Sequence, residues 1–286
     1  MIAAARQPIV GDEPALRRRT LDWRAGTAIG AAAVVMLVFV VAPIAEIAFE
    51  ATRAGAGPML AAFADPEARA AIALTIGAAL VAVAFNAAFG LIAAWTITKY
   101  RFPGKAALQA LIDLPLTVSP VVAGLALLLT FGTRSPLGAW CVAHGFPIAF
   151  ARPGIVIATI FVTFPYVARE LIAFMSEGGR ELEEVALSLG ATAWQTFRRV
   201  TFPHIRGAFI NGVLLCNARA MGEFGAVAVI SGRIRGLTET VALHISSLYD
   251  DAAIVAAFTL AGALAAVAIA LTLARRLTRT HDAGFP

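Results

Sequence analysis

The chain is poor in charged side chains. Only 14% of its 286 residues are charged, whereas 59% are hydrophobic and the mean hydropathy is +0.80. Because soluble domains carry about 25% charged residues, this composition argues against an ordinary soluble protein and predicts a polytopic membrane protein. The net charge of +5 is spread too thinly along the chain to indicate a nucleic-acid partner.

Cysteine and histidine are also scarce, which limits the chemistry that the chain can perform. The only cysteines are Cys141, in a predicted outer loop, and Cys216, in a predicted span, so we expect no disulfide framework. The four histidines show no ligand spacing, so we assign no metal and no catalytic residue. A membrane-embedded enzyme is correspondingly disfavoured. No G-x-x-x-x-G-K-[ST] sequence occurs, which excludes ATP hydrolysis through a P-loop of this chain.

Long hydrophobic segments are what the chain has instead. Six windows can cross about 30 Å of hydrocarbon: residues 27–49, 71–97, 106–131, 153–174, 207–231 and 252–274. Since a backbone in lipid must satisfy its own hydrogen bonds, we expect an all-α bundle of six transmembrane helices. The first window follows several arginines and could be read as a signal peptide, but five further windows favour an uncleaved anchor.

The distribution of Lys and Arg predicts the orientation. With the N-terminus inside, fifteen of these residues fall in inner segments and six in outer segments. Positive charge concentrates on the cytoplasmic side of membrane proteins, so both termini and the loop at 175–206 are predicted to be cytoplasmic. The chain then divides into a cytoplasmic arm (1–26), a transmembrane domain (27–275) and a cytoplasmic tail (276–286).

The loop sequence EVALSLGATAWQTFRRVTFP, residues 184–203, is unusually polar for this chain. Apolar residues at helical spacing predict two short amphipathic helices, the first with Leu182, Val185, Ala186 and Leu189, the second with Trp194, Phe197 and Val200. Gly190 is placed to end the first helix in the left-handed conformation, and Pro203 to end the second before the next span. These features alone are also compatible with an amphipathic linker that lies on the membrane surface.

The spacing within this loop resembles the EAA loop of permease subunits in ABC importers. The positions of the motif are occupied by Glu184, Ala186, Gly190 and Pro203. At three other positions, where Ala, Ile and Leu are commoner in the family, this chain has Val185, Val200 and Phe202. The resemblance implies a type I importer permease of the MetI-like fold, with its core at about 70–275. It also implies that the loop inserts into a partner ATPase, with Glu184, Ala186 and Gly190 making the contact. ATP would then be bound by that partner, and this chain would need no cofactor.

Two ionisable residues, Arg219 and Glu223, lie four apart in the fifth window and so share one helix face. One interpretation is an ion pair that fixes helix packing. The other is that Arg219 helps an oxyanion to pass, since a guanidinium offers a planar fork of donors, while Glu223 holds it in position. Asn217 would then keep this face polar.

Two prolines, Pro115 and Pro120, interrupt the third window and free backbone carbonyls one turn earlier. They predict either a kink in a packed helix or a bent gate helix in which Pro120 marks the transport path.

Two segments extend the resemblance: DLPLTVSPVVAGLALLLTFG and ARAMGEFGAVAVISGRIRGLTETVALHISSLYDD. They are similar to the W-type permease subunits of sulfate/thiosulfate importers. The resemblance implies a bacterial inner-membrane transporter with a homologous T-type permease subunit, two copies of an ATPase subunit and a periplasmic sulfate-binding protein. The GEFG element also occurs in molybdate permeases, so a molybdate or tungstate permease remains an alternative. An ion-coupled secondary transporter or channel acting alone would show an inverted repeat, which we do not find.

Overall fold

The computed structural model describes residues 23–178 and 181–282, and side chains within 26–178 and 181–275. Within these residues every regular element is a helix, which confirms the all-α prediction. The chain divides into two compact units, Met1–Glu46 and Ile47–Pro286. The predicted count of six transmembrane helices is not confirmed, because two of the predicted spans are not single helices.

The α-helices follow one another with short connections. In chain order they are α1 (Trp23–Met36), α2 (Ala42–Thr52), α3 (Ala56–Ala64), α4 (Pro66–Lys99), α5 (Lys105–Thr117), α6 (Pro120–Phe131), α7 (Pro136–Ala143), α8 (Arg152–Glu177), α9 (Glu181–Ser188), α10 (Ala193–Thr196), α11 (Phe202–Met221), α12 (Gly225–Ile230), α13 (Val241–Asp250) and α14 (Ile254–Asp282). Two π-helical segments, Leu37–Val41 and Phe197–Thr201, lie immediately before α2 and α11.

Four helical stretches in the described part of the chain are long and apolar enough to span a membrane. They are Gly26–Thr52, Pro66–Lys99, Arg152–Glu177 and Ile254–Arg275. Each overlaps a predicted window. A fifth span results if α5 and α6 are counted together, although they are bent by 110° at the residues between them.

The structure departs from the predicted third and fifth spans. Residues 106–131 were expected to form one span, yet Val118 takes an extended conformation and Pro120 begins a new helix, so the chain turns sharply instead of kinking. Residues 207–231 were expected to form another, yet the helix ends at Met221 and resumes at Gly225. Hydrophobicity alone does not register these breaks, because the sequence on both sides remains apolar enough for a continuous window.

Pro203 does not end a helix, contrary to the prediction. It lies in the first turn of α11, and the helical backbone runs without interruption from α10 through the π segment into α11. The amide of Phe202 bonds to the carbonyl of Phe197, five residues back, just before the proline. The wider turn makes room for a ring that would clash in a regular helix. The same arrangement precedes Pro43, where Ala42 bonds to Leu37.

The core of the second unit lies where α4, α8 and α11 meet. Small residues allow close approach: a Cβ added at Gly90 of α4 would lie 2.9 Å from the Cβ of Val167 in α8. Buried polar groups join the same helices, since the amide of Asn86 donates to the Thr163 hydroxyl at 2.8 Å and lies 3.7 Å from the Cys216 sulfur. These contacts hold together the helices that carry the candidate sites.

Candidate functional site

The loop at 181–203 forms two short helices joined by a sharp turn. Gly190 has φ of +86°, as expected for a left-handed residue that ends a helix. The amide of Ala191 bonds to the carbonyl of Ala186 at 3.1 Å and that of Gly190 to Leu187 at 3.0 Å, the pattern of a Schellman motif. Thr192 then caps the second helix in a reciprocal capping box. Local hydrogen bonds therefore build this turn, which is why the sequence could predict it.

Several apolar residues of this loop are largely exposed. The exposed fractions are 61% for Leu182, 56% for Val185, 83% for Leu189 and 67% for Trp194. We call these four residues the coupling-loop patch. Clustered apolar side chains that the chain leaves uncovered indicate a surface for a partner or a membrane. Glu184 is also exposed and Ala186 is half-buried, so both remain accessible beside the patch.

The loop is attached to the helix bundle through contacts that its own sequence pattern did not predict. Glu183 Oε2 lies 2.7 Å from Lys99 Nζ, and Glu183 Oε1 accepts a hydrogen bond from Thr201 at 2.7 Å. Phe197 packs edge-on against Trp95, with ring centroids 5.2 Å apart. Because Glu183 and Lys99 are 84 positions apart, no local pattern could have revealed the pair.

Arg219 and Glu223 meet, as their spacing predicts, but at a helix break. Arg219 Nη1 lies 2.8 Å from Glu223 Oε2, with side chains 33% and 1% exposed. Glu223 follows the end of α11, and its other oxygen accepts from the Ala226 amide at 3.0 Å in the first turn of α12. The buried carboxylate therefore has two tasks: it holds the guanidinium and it satisfies a donor at the start of the next helix.

Pro120 lies close to the break between α11 and α12. A Cβ added at Gly225 would lie 2.8 Å from the Cβ of Pro120, and one added at Gly124 would lie 2.6 Å from the carbonyl oxygen of Ala226. The backbones of α6 and α12 thus touch directly. The structure therefore brings together the breaks of the third and fifth predicted spans.

Asn217 is half-buried in α11, two residues before Arg219. Residues two apart on a helix point to different sides, so Asn217 does not share the face of the ion pair. The idea that it keeps that face polar has no support in this geometry.

A second polar cluster lies at the start of α4 and around α13, and no sequence pattern predicted it. His244 Nδ1 lies 2.9 Å from Glu239 Oε2, and His244 Nε2 lies 3.9 Å from Asp65 Oδ2. His244 and Glu239 are buried. In the described residues no group of three or more His, Cys, Asp or Glu is placed to hold a metal. Nearby, a hydrogen bond from Arg235 to Asp251 raises the pKa of Arg235.

Comparisons with known proteins agree with this architecture. Residues 86–282 match the family described as binding-protein-dependent transport system inner membrane component. The sulfate transport system permease protein CysW of Escherichia coli (strain K12) is 46% identical over 251 residues, 88% of this chain and 86% of that one. The permease protein CysT of the same organism is 41% identical over 181 residues, 63% and 65% of the two chains.

The fold is also that of a solved transporter. A chain of the bacterial alginate ABC transporter, in complex with its alginate-pentasaccharide-bound periplasmic protein, superposes with a TM-score of 0.74 at 18% identity. The superposition covers 90% of this chain and 96% of the other. At this identity the likeness concerns the fold, and it confirms the predicted importer-permease bundle. The chain belongs to the family of inner-membrane components of binding-protein-dependent transport systems.

Proposed function

We propose that this chain is one of two permease subunits of an ATP-driven importer that carries sulfate into the cytoplasm. The observation that supports this most is the 46% identity to a sulfate permease, which extends over 88% of the chain. The related CysT permease suggests the second, homologous subunit. Two copies of an ATPase subunit and a periplasmic sulfate-binding protein complete the assembly, with both termini of this chain in the cytoplasm.

The coupling-loop patch supports a separate ATPase as the energy source. The chain has no P-loop sequence of its own, and this exposed apolar loop lies in a segment that the charge distribution predicts to be cytoplasmic. Covering Leu189 and Trp194, which are 83% and 67% exposed, would remove apolar surface from water. ATP binding to the partner would shift the bundle between outward-open and inward-open states through its different affinity for the two. Glu184, Ala186 and Gly190 are the proposed contact positions.

The break between α11 and α12 is the proposed contact with the anion. The guanidinium of Arg219 is 33% exposed and uses Nη1 for Glu223, which leaves other N–H donors for a tetrahedral oxyanion. Pro120 and Gly225 bring the sharp turn between α5 and α6 against this position. A cationic side chain beside two backbone breaks is typical of transport sites within membranes.

Substrate competition tests the proposed cargo. The tagged chain is co-purified with its partner subunits, reconstituted in vesicles, and supplied with binding protein, ATP and labelled sulfate. We expect uptake that needs ATP and is competed by unlabelled sulfate, with thiosulfate as a second competitor. Stronger competition by molybdate would assign the chain to molybdate transport instead. Uptake by the purified chain without ATP would indicate a secondary transporter.

A further inference from the structure

The carboxylate of Glu183 joins three elements of the structure. Glu183 lies on α9, Lys99 is the last residue of α4, and Thr201 lies in the π segment that leads into α11. One carboxylate oxygen is 2.7 Å from the Lys99 ammonium and the other is 2.7 Å from the Thr201 hydroxyl.

The surroundings of this contact distinguish it from a surface ion pair. The Lys99 and Glu183 side chains are 12% and 17% exposed, and Thr201 is buried. The ammonium also lies 5.8 Å from the centre of the Trp95 ring. By contrast, the neighbouring acids Glu181 and Glu184 are exposed. Charge-assisted hydrogen bonds that are shielded from water hold their geometry better than exposed pairs do.

Little else fastens α9 to the bundle. No residue of α9 is buried, and its Leu182 and Val185 belong to the exposed coupling-loop patch. Glu183 therefore offers a displacement of α9 a direct side-chain route into the bundle, beside the Phe197–Trp95 contact and the continuous helix from α10 into α11. Its two contacts lead to different places: Lys99 to α4, which packs closely on α8 at Gly90, and Thr201 to α11, which carries Arg219.

We propose that Glu183 is a positioning residue that transmits the movement of the coupling loop to α4 and α11. Glu184, one position later, is exposed and can contact the ATPase, so the two adjacent acids have different roles. Glu184 receives the displacement from outside the chain, and Glu183 passes it inward. This inference rests on the proposed ATP-driven function, but it does not depend on which anion is carried.

The test is the number of anions transported per ATP hydrolysed by the reconstituted complex. Glu183→Gln removes the charge but keeps an oxygen that can accept from Thr201. Loss of a charged hydrogen bond corresponds to about a tenfold effect on an equilibrium, so we expect the transport-to-hydrolysis ratio to fall about tenfold. The matched control is Glu181→Gln, which makes the same change on the exposed side of the same helix. It should leave the ratio unchanged.

A charge exchange separates transmission from folding. Lys99→Glu alone should lower the ratio as Glu183→Gln does, because it places two carboxylates together. The double variant Lys99→Glu/Glu183→Lys restores opposite charges and should recover most of the ratio. Thr201→Val removes only the hydrogen bond and should have a smaller effect. Co-purification with the ATPase subunit reports whether each variant assembles.

Three results would overturn the proposal: a ratio unaffected by Glu183→Gln, an equal loss in Glu181→Gln, or no recovery in the charge exchange. If no variant at this position assembles, the contact is needed for folding and the proposal also fails. If the wild-type complex imports another oxyanion instead of sulfate, the proposed cargo is wrong, and the same ratio measured with that anion still decides the role of Glu183. A complex with no ATP-dependent uptake of any anion rejects both proposals.

Discussion

The two partners of the Arg219–Glu223 pair should respond differently to mutation. Glu223 is 1% exposed, whereas Arg219 is 33% exposed. Arg219→Ala therefore leaves a buried carboxylate without its counter-charge. Removing one partner of a buried pair costs about 3–5 kcal/mol. Because the guanidinium side of this pair is partly exposed, we lower the expected cost to about 2–3 kcal/mol.

Glu223→Gln should be milder. If Arg219 lines a water-filled path, water can solvate the guanidinium that is left behind. The glutamine oxygen can still accept from the Ala226 amide, which lies 3.0 Å from the native carboxylate. The remaining loss is the ion pair with a partly exposed guanidinium, which is smaller than the cost of leaving a buried carboxylate unpaired. The double variant Arg219→Met/Glu223→Gln leaves no buried charge and should be more stable than Arg219→Ala.

Thermal unfolding of the assembled transporter in detergent measures this order. We expect the melting temperature to be lowest for Arg219→Ala, with Glu223→Gln nearer to the wild type. Arg235→Ala is the control, because Arg235 and Asp251 are 43% and 49% exposed and should contribute little. If Glu223→Gln is at least as destabilising as Arg219→Ala, Arg219 is not solvated, and its proposed place in an aqueous anion path is refuted.

Three further predictions concern the coupling loop and the contact between α6 and α12. Gly190→Ala should cost about 1–2 kcal/mol, because Gly190 has φ of +86°, while the added Cβ meets no other atom. Thermal unfolding followed by circular dichroism should show a correspondingly lower melting temperature. Leu189→Lys should weaken co-purification of the ATPase while leaving the melting temperature unchanged, because Leu189 is 83% exposed; equal recovery of ATPase would argue against the patch as a docking surface. Gly124→Val should cost about 1–3 kcal/mol, because its Cβ would lie 2.6 Å from the Ala226 carbonyl oxygen; an unchanged melting temperature would show that α6 and α12 can separate at no cost.

Features built by neighbouring residues could be predicted from the sequence. The turn at Gly190 depends on hydrogen bonds within 186–195, and the Arg219–Glu223 contact follows from a spacing of four. Four of the six predicted spans correspond to long apolar helices because length and hydrophobicity suffice to specify them. Pro203 misled the prediction, since a π segment before it accommodates the ring that would break a regular helix.

The sequence by itself therefore determined the class of protein, four of the six membrane segments and the turn of the coupling loop at Gly190. These follow from composition and from interactions over a few residues. Only the tertiary structure decided that Pro120 lies beside the break at Glu223 and that Glu183, not its neighbour, reaches Lys99. The reason is physical: residues as far apart as 84 positions meet only once helices are packed, and the small side chains that allow such packing are too common along this chain to indicate which helices will touch.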